Sequence, residues 1–97
     1  MITIQDIIGY SKEHPIKSGR QTRLANEQVT ISIVGGASGL YGDFKKDFEV
    51  AVIDKLTGEF MTKFFYPEGN DDVVGYMTAE QVEGFVNQIL HKDFQVL

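Results

Sequence analysis

The stretch Asp47-Phe48-Glu49-Val50-Ala51-Val52-Ile53, then Asp54-Lys55-Leu56-Thr57-Gly58, then Glu59-Phe60-Met61-Thr62-Lys63-Phe64-Phe65-Tyr66 decides how the chain is read. The middle block is hairpin chemistry. An Asp opens a type I turn by accepting nearby backbone N–H groups, and a Gly takes the left-handed position beyond it. Pairing Asp54 with Gly58 sets a register in which Val52 faces Phe60, Val50 faces Thr62 and Phe48 faces Phe64. That makes one nearly continuous apolar face, expected to point inward. The reverse face then carries Glu49 opposite Lys63, an attractive cross-strand pair, together with Ala51, Ile53, Met61 and Phe65. A slip of one residue would exchange the two faces.

On the N-terminal side, Gln28–Val34 alternates, with Val29, Ile31 and Ile33 on one face and Thr30 and Ser32 on the other. Residues 16–24 read either as an edge strand or as a loop, because only Ile16 and Leu24 are apolar at the ends of a polar, basic stretch. On the C-terminal side, a short strand over about Asp72–Tyr76 leads into a helix over 79–92. Thr78 and Gln81 have capping-box spacing, and Met77 and Val82 can close a hydrophobic staple. Val82, Phe85, Val86, Ile89 and Leu90 form its apolar stripe. A second helix begins after Thr3, with Ile2 and Ile7 at staple spacing and Ile4, Ile7 and Ile8 as the buried stripe; Pro15 bars it beyond about His14. The expected fold class is α+β and two-layered: an N-terminal helix, a three- or four-stranded antiparallel meander, and a C-terminal helix on the same face.

The 97 residues suffice for a single domain, 1–97. With 42% hydrophobic and 24% charged residues, the composition is globular rather than disordered or fibrous. The chain has no Cys, which excludes disulfide scaffolds, thiolate metal sites and cysteine nucleophiles. No apolar run approaches the roughly 18 residues of a spanning helix. The N-terminus lacks a basic region before its apolar stretch, so no signal peptide is expected and a cytoplasmic location is. Nine Lys and Arg against fourteen Asp and Glu give a net charge of −5, which argues against direct nucleic-acid binding or an anionic membrane surface.

The candidate binding segments follow from what remains. Gly35-Gly36-Ala37-Ser38-Gly39-Leu40-Tyr41-Gly42 matches neither a nucleophile elbow, nor a P-loop, nor a dinucleotide fingerprint. Its tip sets Leu40 and Tyr41 among glycines, where an aromatic can anchor a partner. From residue 67 onward Glu68, Asp71, Asp72, Glu80, Glu83 and Asp93 are opposed only by Lys92. Such a face either is merely solvated or presents negative charge to a basic groove on a partner. The cations Lys12, Lys17, Arg20 and Arg23 gather at the other end, and Lys17, Arg20 and Arg23 are candidate phosphate contacts. Met61 and Phe65, on the expected outer face of the hairpin, are candidates for self-association into a homodimer. Neither His14 nor His91 sits in a catalytic or metal-binding pattern, so no enzyme, metal or cofactor is expected.

The length, the acidic balance and the order from Thr3–Lys12 through the Gln28–Tyr66 strands to Thr78–Lys92 resemble small acidic proteins that phages and prophages encode to block host machinery. Among these are anti-CRISPR proteins of the Cas9-inhibitor type. The resemblance is architectural and no motif carries it. It implies a non-catalytic inhibitor in which acids such as Asp71, Asp72, Glu80 and Glu83 occupy the basic groove of a nucleic-acid-binding protein, for example a CRISPR effector. The residues themselves lead to a protein-binding module that uses the glycine-rich loop, the acidic face, or both. The alternatives are a nucleic-acid or phosphate binder acting through the Lys12–Arg23 segment, and a small-molecule-binding protein whose pocket opens between the sheet and the Gly35–Gly42 loop.

Overall fold

The computed structural model describes residues 1–16, 18–69, 71–91 and 93–97. Its order is α1 (Ile4–Gly9), β1 (Lys12–Glu13), β2 (Arg20–Ala25), β3 (Val29–Gly35), β4 (Asp47–Asp54), α2 (Thr62–Phe65), a 3₁₀ turn (Pro67–Gly69), β5 (Val74–Thr78), α3 (Ala79–Leu90) and β6 (Gln95–Val96). The strands form one antiparallel sheet in the order β1-β2-β3-β4-β5, and β6 also pairs with β2. The α+β class and the two terminal helices are those the sequence predicts, and the two-residue strands β1 and β6 bring the sheet to six strands. The 16–24 segment resolves into a strand: from Arg20 onward it is β2, an interior strand rather than an edge or a loop.

Registers define two faces. Thr22 lies opposite Ile33 and Leu24 opposite Ile31; Ile31 in turn meets Val52, and Ile33 meets Val50. These side chains are buried and, Thr22 apart, join Phe48, Val82, Phe85 and Val86 in one cluster, so both helices cover this face. The Thr22 hydroxyl fastens α1 to it by donating to the Ile7 carbonyl at 2.6 Å. The capping boxes form at both helices, Thr3 with Asp6 and Thr78 with Gln81. α1 is shorter than its Pro15 limit. Ile8 is exposed rather than part of the buried stripe, while Ile2 and Ile7 are buried.

The hairpin departs from expectation after its turn. The turn itself forms: Asp54 Oδ1 accepts from Leu56 N–H at 2.7 Å, and Gly58 has φ 76° and donates to the Asp54 carbonyl at 2.9 Å. Asp54, however, donates its N–H to Glu59, not to Gly58, and Phe60 bridges Ile53 rather than Val52. The register has slipped by one residue, so Phe60 falls on the outer face and is 52% exposed. Pairing then stops, because β5 occupies the same edge of β4 from Asp47 to Val50. The chain turns into α2 instead, held by the buried Thr62 hydroxyl. That hydroxyl accepts from Val52 N–H at 2.9 Å and donates to the Asp72 carbonyl at 2.6 Å. Phe64 is consequently 76% exposed, whereas Met61 and Phe65, expected on the outside, are half-buried against the core. Lys63 leaves the sheet with α2, so Glu49 does not face it as a cross-strand partner.

Candidate functional site

The outer face of the sheet carries three registered rows. Ala25, Thr30, Ile53 and Phe60 form the first; Arg23, Ser32 and Ala51 the second; Gln21, Val34 and Glu49 the third. Both helices pack on the opposite face. At the β5 end of the third row, β4 and β5 change register, so that Gly75 and Tyr76 together oppose Glu49. This bulge is the anchorage of the glycine-rich loop. Glu49 Oε1 accepts Tyr41 N–H at 3.0 Å, and the Tyr41 carbonyl accepts Tyr76 N–H at 2.8 Å. A Cβ on Gly75 would stand 2.6 Å from the Tyr41 Cβ, so only glycine lets the loop lie this close. The two tyrosine rings stand 6.0 Å apart at 54°.

Both rings stay accessible, Tyr41 at 52% and Tyr76 at 63%. Tyr76 has φ 56°, a left-handed backbone that costs a residue with a Cβ roughly 1–2 kcal/mol. An exposed aromatic held at that cost points to use rather than to packing. Phe60 marks the other end of the same face, four residues along β4 from the Glu49 row, or about 13 Å at the strand rise. The aromatic posts thus stand at two ends of a face whose small residues between them, Ala25, Thr30, Val34 and Ala51, are buried.

The loop is fastened at its far end as well. Phe44, with φ 62°, is buried edge-on to Phe48 at 5.2 Å. The Asp43 carboxylate accepts N–H groups from Lys45 and Lys46, each at 2.8 Å, and from Asp47 at 3.2 Å. Those three donors hold its pKa down to about 2, well below the ordinary aspartate value. The hydrogen bonds of the Thr3 cap lower the Asp6 carboxyl in the same way.

The sequence-predicted residues divide. Tyr41 is at the site, with Leu40 half-buried beside it in the loop. Asp72 and Glu80 lie four residues before and after Tyr76 in the chain, and both are exposed. Glu68 and Asp71 are exposed on the connection before β5, which begins at Val74. Glu83 has a structural role: its Oε2 accepts Ile4 N–H at 2.6 Å and so helps satisfy the start of α1. Met61 and Phe65 are turned to the core. Arg20 donates from Nε and Nη2 to Ser11, at 3.1 and 2.7 Å, and Arg23 lies three positions along β2, so the strand sends them to opposite faces. Lys17 lies outside the described residues. Phe60, Tyr76 and Glu49 are the site residues that sequence reasoning missed. A one-residue shift in turn register would have found Phe60; nothing in the sequence marks Tyr76 as left-handed.

Among the described residues, no group of three His, Asp or Glu side chains is placed to hold a metal ion. None of their helices is long and apolar enough to cross a membrane. Comparison of the chain with protein-family models, with curated proteins and with solved structures finds no match.

Proposed function

We propose that the protein is a non-catalytic binding module whose outer sheet face docks onto a basic surface of another protein, with Tyr41 and Tyr76 as the anchors. The observation that carries this is the tyrosine pair itself: two exposed rings, tied through main-chain hydrogen bonds and through Glu49, one of them on a strained backbone. Pre-set aromatics lose little conformational entropy on association and are enriched among residues that dominate binding energy. The charge of the partner is inferred from the acid bonded to the pair and from those near it in sequence. Glu49 is bonded to Tyr41, Asp72 and Glu80 bracket Tyr76 in the chain, and the net charge of −5 adds long-range steering toward a cationic surface. The resemblance to phage-encoded inhibitors narrows that partner to a basic nucleic-acid-binding protein such as a CRISPR effector, blocked by occupation of its groove.

The test is affinity capture from source-cell lysate on wild-type protein and on the Tyr41→Ala and Tyr76→Ala variants, read by mass spectrometry. The expected result is a basic protein retained by the wild type, lost from both variants and released as salt is raised. Identical retention on all three baits would overturn the reading.

A further inference from the structure

We propose a second, separate site: the hollow between the Ser18–Gly19 turn and the glycine-rich loop binds the phosphoryl group of a small phosphate monoester. It does not depend on the tyrosine pair and lies on different residues. The hollow is open and measures about 650 Å³, with Gly19, Arg20, Gly36, Ser38, Asp43 and Lys45 in its lining. It joins the two segments that the sequence singles out, the basic stretch and the glycine run, which the chain holds apart by about fifteen residues.

Three glycines, Gly19, Gly36 and Gly42, stand in its lining. Gly19 has φ 117°, and a Cβ there would lie 2.6 Å from the Gly35 carbonyl oxygen, so the turn can pack against the loop only as glycine. Main-chain walls let an anion approach N–H groups without side-chain interference. The N–H groups of Ala37 and Ser38 and the Ser38 hydroxyl have no hydrogen-bond partner among the described residues. Two cations complete the lining. Arg20 is held in place by its two bonds to Ser11, which leave further guanidinium donors free, and Lys45 is exposed on the loop. Asp43 is the acid in the lining, and its carboxylate is already engaged by three N–H groups. With Arg20 and Lys45 against Asp43, the lining keeps one positive charge in a protein of net charge −5.

The size and the apolar part select the ligand. A bare phosphate ion fills little of this space, whereas hollows of about 300–1,000 Å³ suit small organic ligands. Ala37 and the glycines Gly19, Gly36 and Gly42 line the remainder, carbon surface for the organic portion of a monoester.

The experiment is a titration of ¹⁵N-labelled protein with inorganic phosphate and with phenyl phosphate at constant ionic strength, following backbone amide shifts. Saturable shifts confined to Gly36–Ser38 and Lys45 are expected, tighter with phenyl phosphate. Arg20→Gln and Lys45→Gln should each weaken binding about tenfold, the scale of one charge-assisted contact. Arg23→Gln, on the outer face, should change nothing. Equal affinity for the two probes would overturn the monoester assignment. Shifts that fail to saturate, or an equal loss in Arg23→Gln, would overturn the site. Because Lys45 is exposed and outside every strand and helix, its variant keeps the test decisive even where Arg20→Gln disturbs the fold.

Discussion

Asn87 holds both main-chain polar groups of Ile2: its Oδ1 accepts Ile2 N–H at 2.8 Å, and its Nδ2 donates to the Ile2 carbonyl at 2.7 Å. One side chain of α3 thereby completes the entry to α1, eighty-five residues away in sequence. Asn87→Ala should lower stability by about 2 kcal/mol, the worth of two such bonds. Urea denaturation reads the loss, and amide exchange should locate it in Ile2–Ile8. A loss below half that figure would mean that α1 is held by its apolar contacts and the Thr22 and Glu83 hydrogen bonds, without need of Asn87.

Thr62 is the hinge on which the aborted hairpin turns. Thr62→Val keeps the shape but leaves Val52 N–H and the Asp72 carbonyl without their side-chain partner. The expected cost is about 2–3 kcal/mol by chemical denaturation, with Thr62→Ser much milder. An indifferent Thr62→Val would contradict the hydroxyl-centred account of α2.

The slipped register has its own test. Phe60→Ser should change stability by no more than about 0.5 kcal/mol, as surface substitutions do. Phe48→Ala, at a fully buried ring, should cost about 3–5 kcal/mol. If the Phe60 substitution proved as costly as the Phe48 one, the inward-facing register read from the sequence would be restored.

Tyr76 trades stability for display. Tyr76→Gly relieves the left-handed backbone, so stability should hold or rise by up to about 1 kcal/mol even though a ring is removed. Partner capture should fall in the same variant. Gly75→Ala is the complementary probe: it pushes Tyr41 aside and should weaken capture without touching either ring.

Asp43 sets a pH dependence. Its folded pKa, about 2, lies below the roughly 3.9 of an unfolded aspartate, so its contribution is complete above about pH 4 and disappears as pH falls toward 2. The difference in Tm between wild type and Asp43→Asn should therefore shrink over that interval. A constant difference would mean that the carboxylate does not organise the loop through its charge.

Local chemistry made much of this legible. The capping boxes at Thr3 and Thr78, the apolar stripe of α3 and the turn at Asp54–Gly58 all depend on neighbours within a few residues. The register beyond Gly58 does not, because it is decided by β5 arriving from residue 74 to claim the edge of β4. The site divides the same way. Tyr41 stands out as an aromatic among glycines, whereas Tyr76 becomes its partner only through the bulge opposite Glu49. Glu83 reads as surface charge until α1 is brought beside it.

The edge of β4 is finished by two unrelated pieces, β5 over Asp47–Val50 and the Phe60–Thr62 segment over Val52–Ile53. Beneath them runs Val50-Ala51-Val52-Ile53, uncharged, proline-free and of high β propensity, the kind of segment that templates fibrils when bare. Release of the Phe60–Thr62 segment would bare the Val52–Ile53 half of that template. The Phe60–Thr62 segment is therefore a guard on that edge as well as a link between β4 and α2.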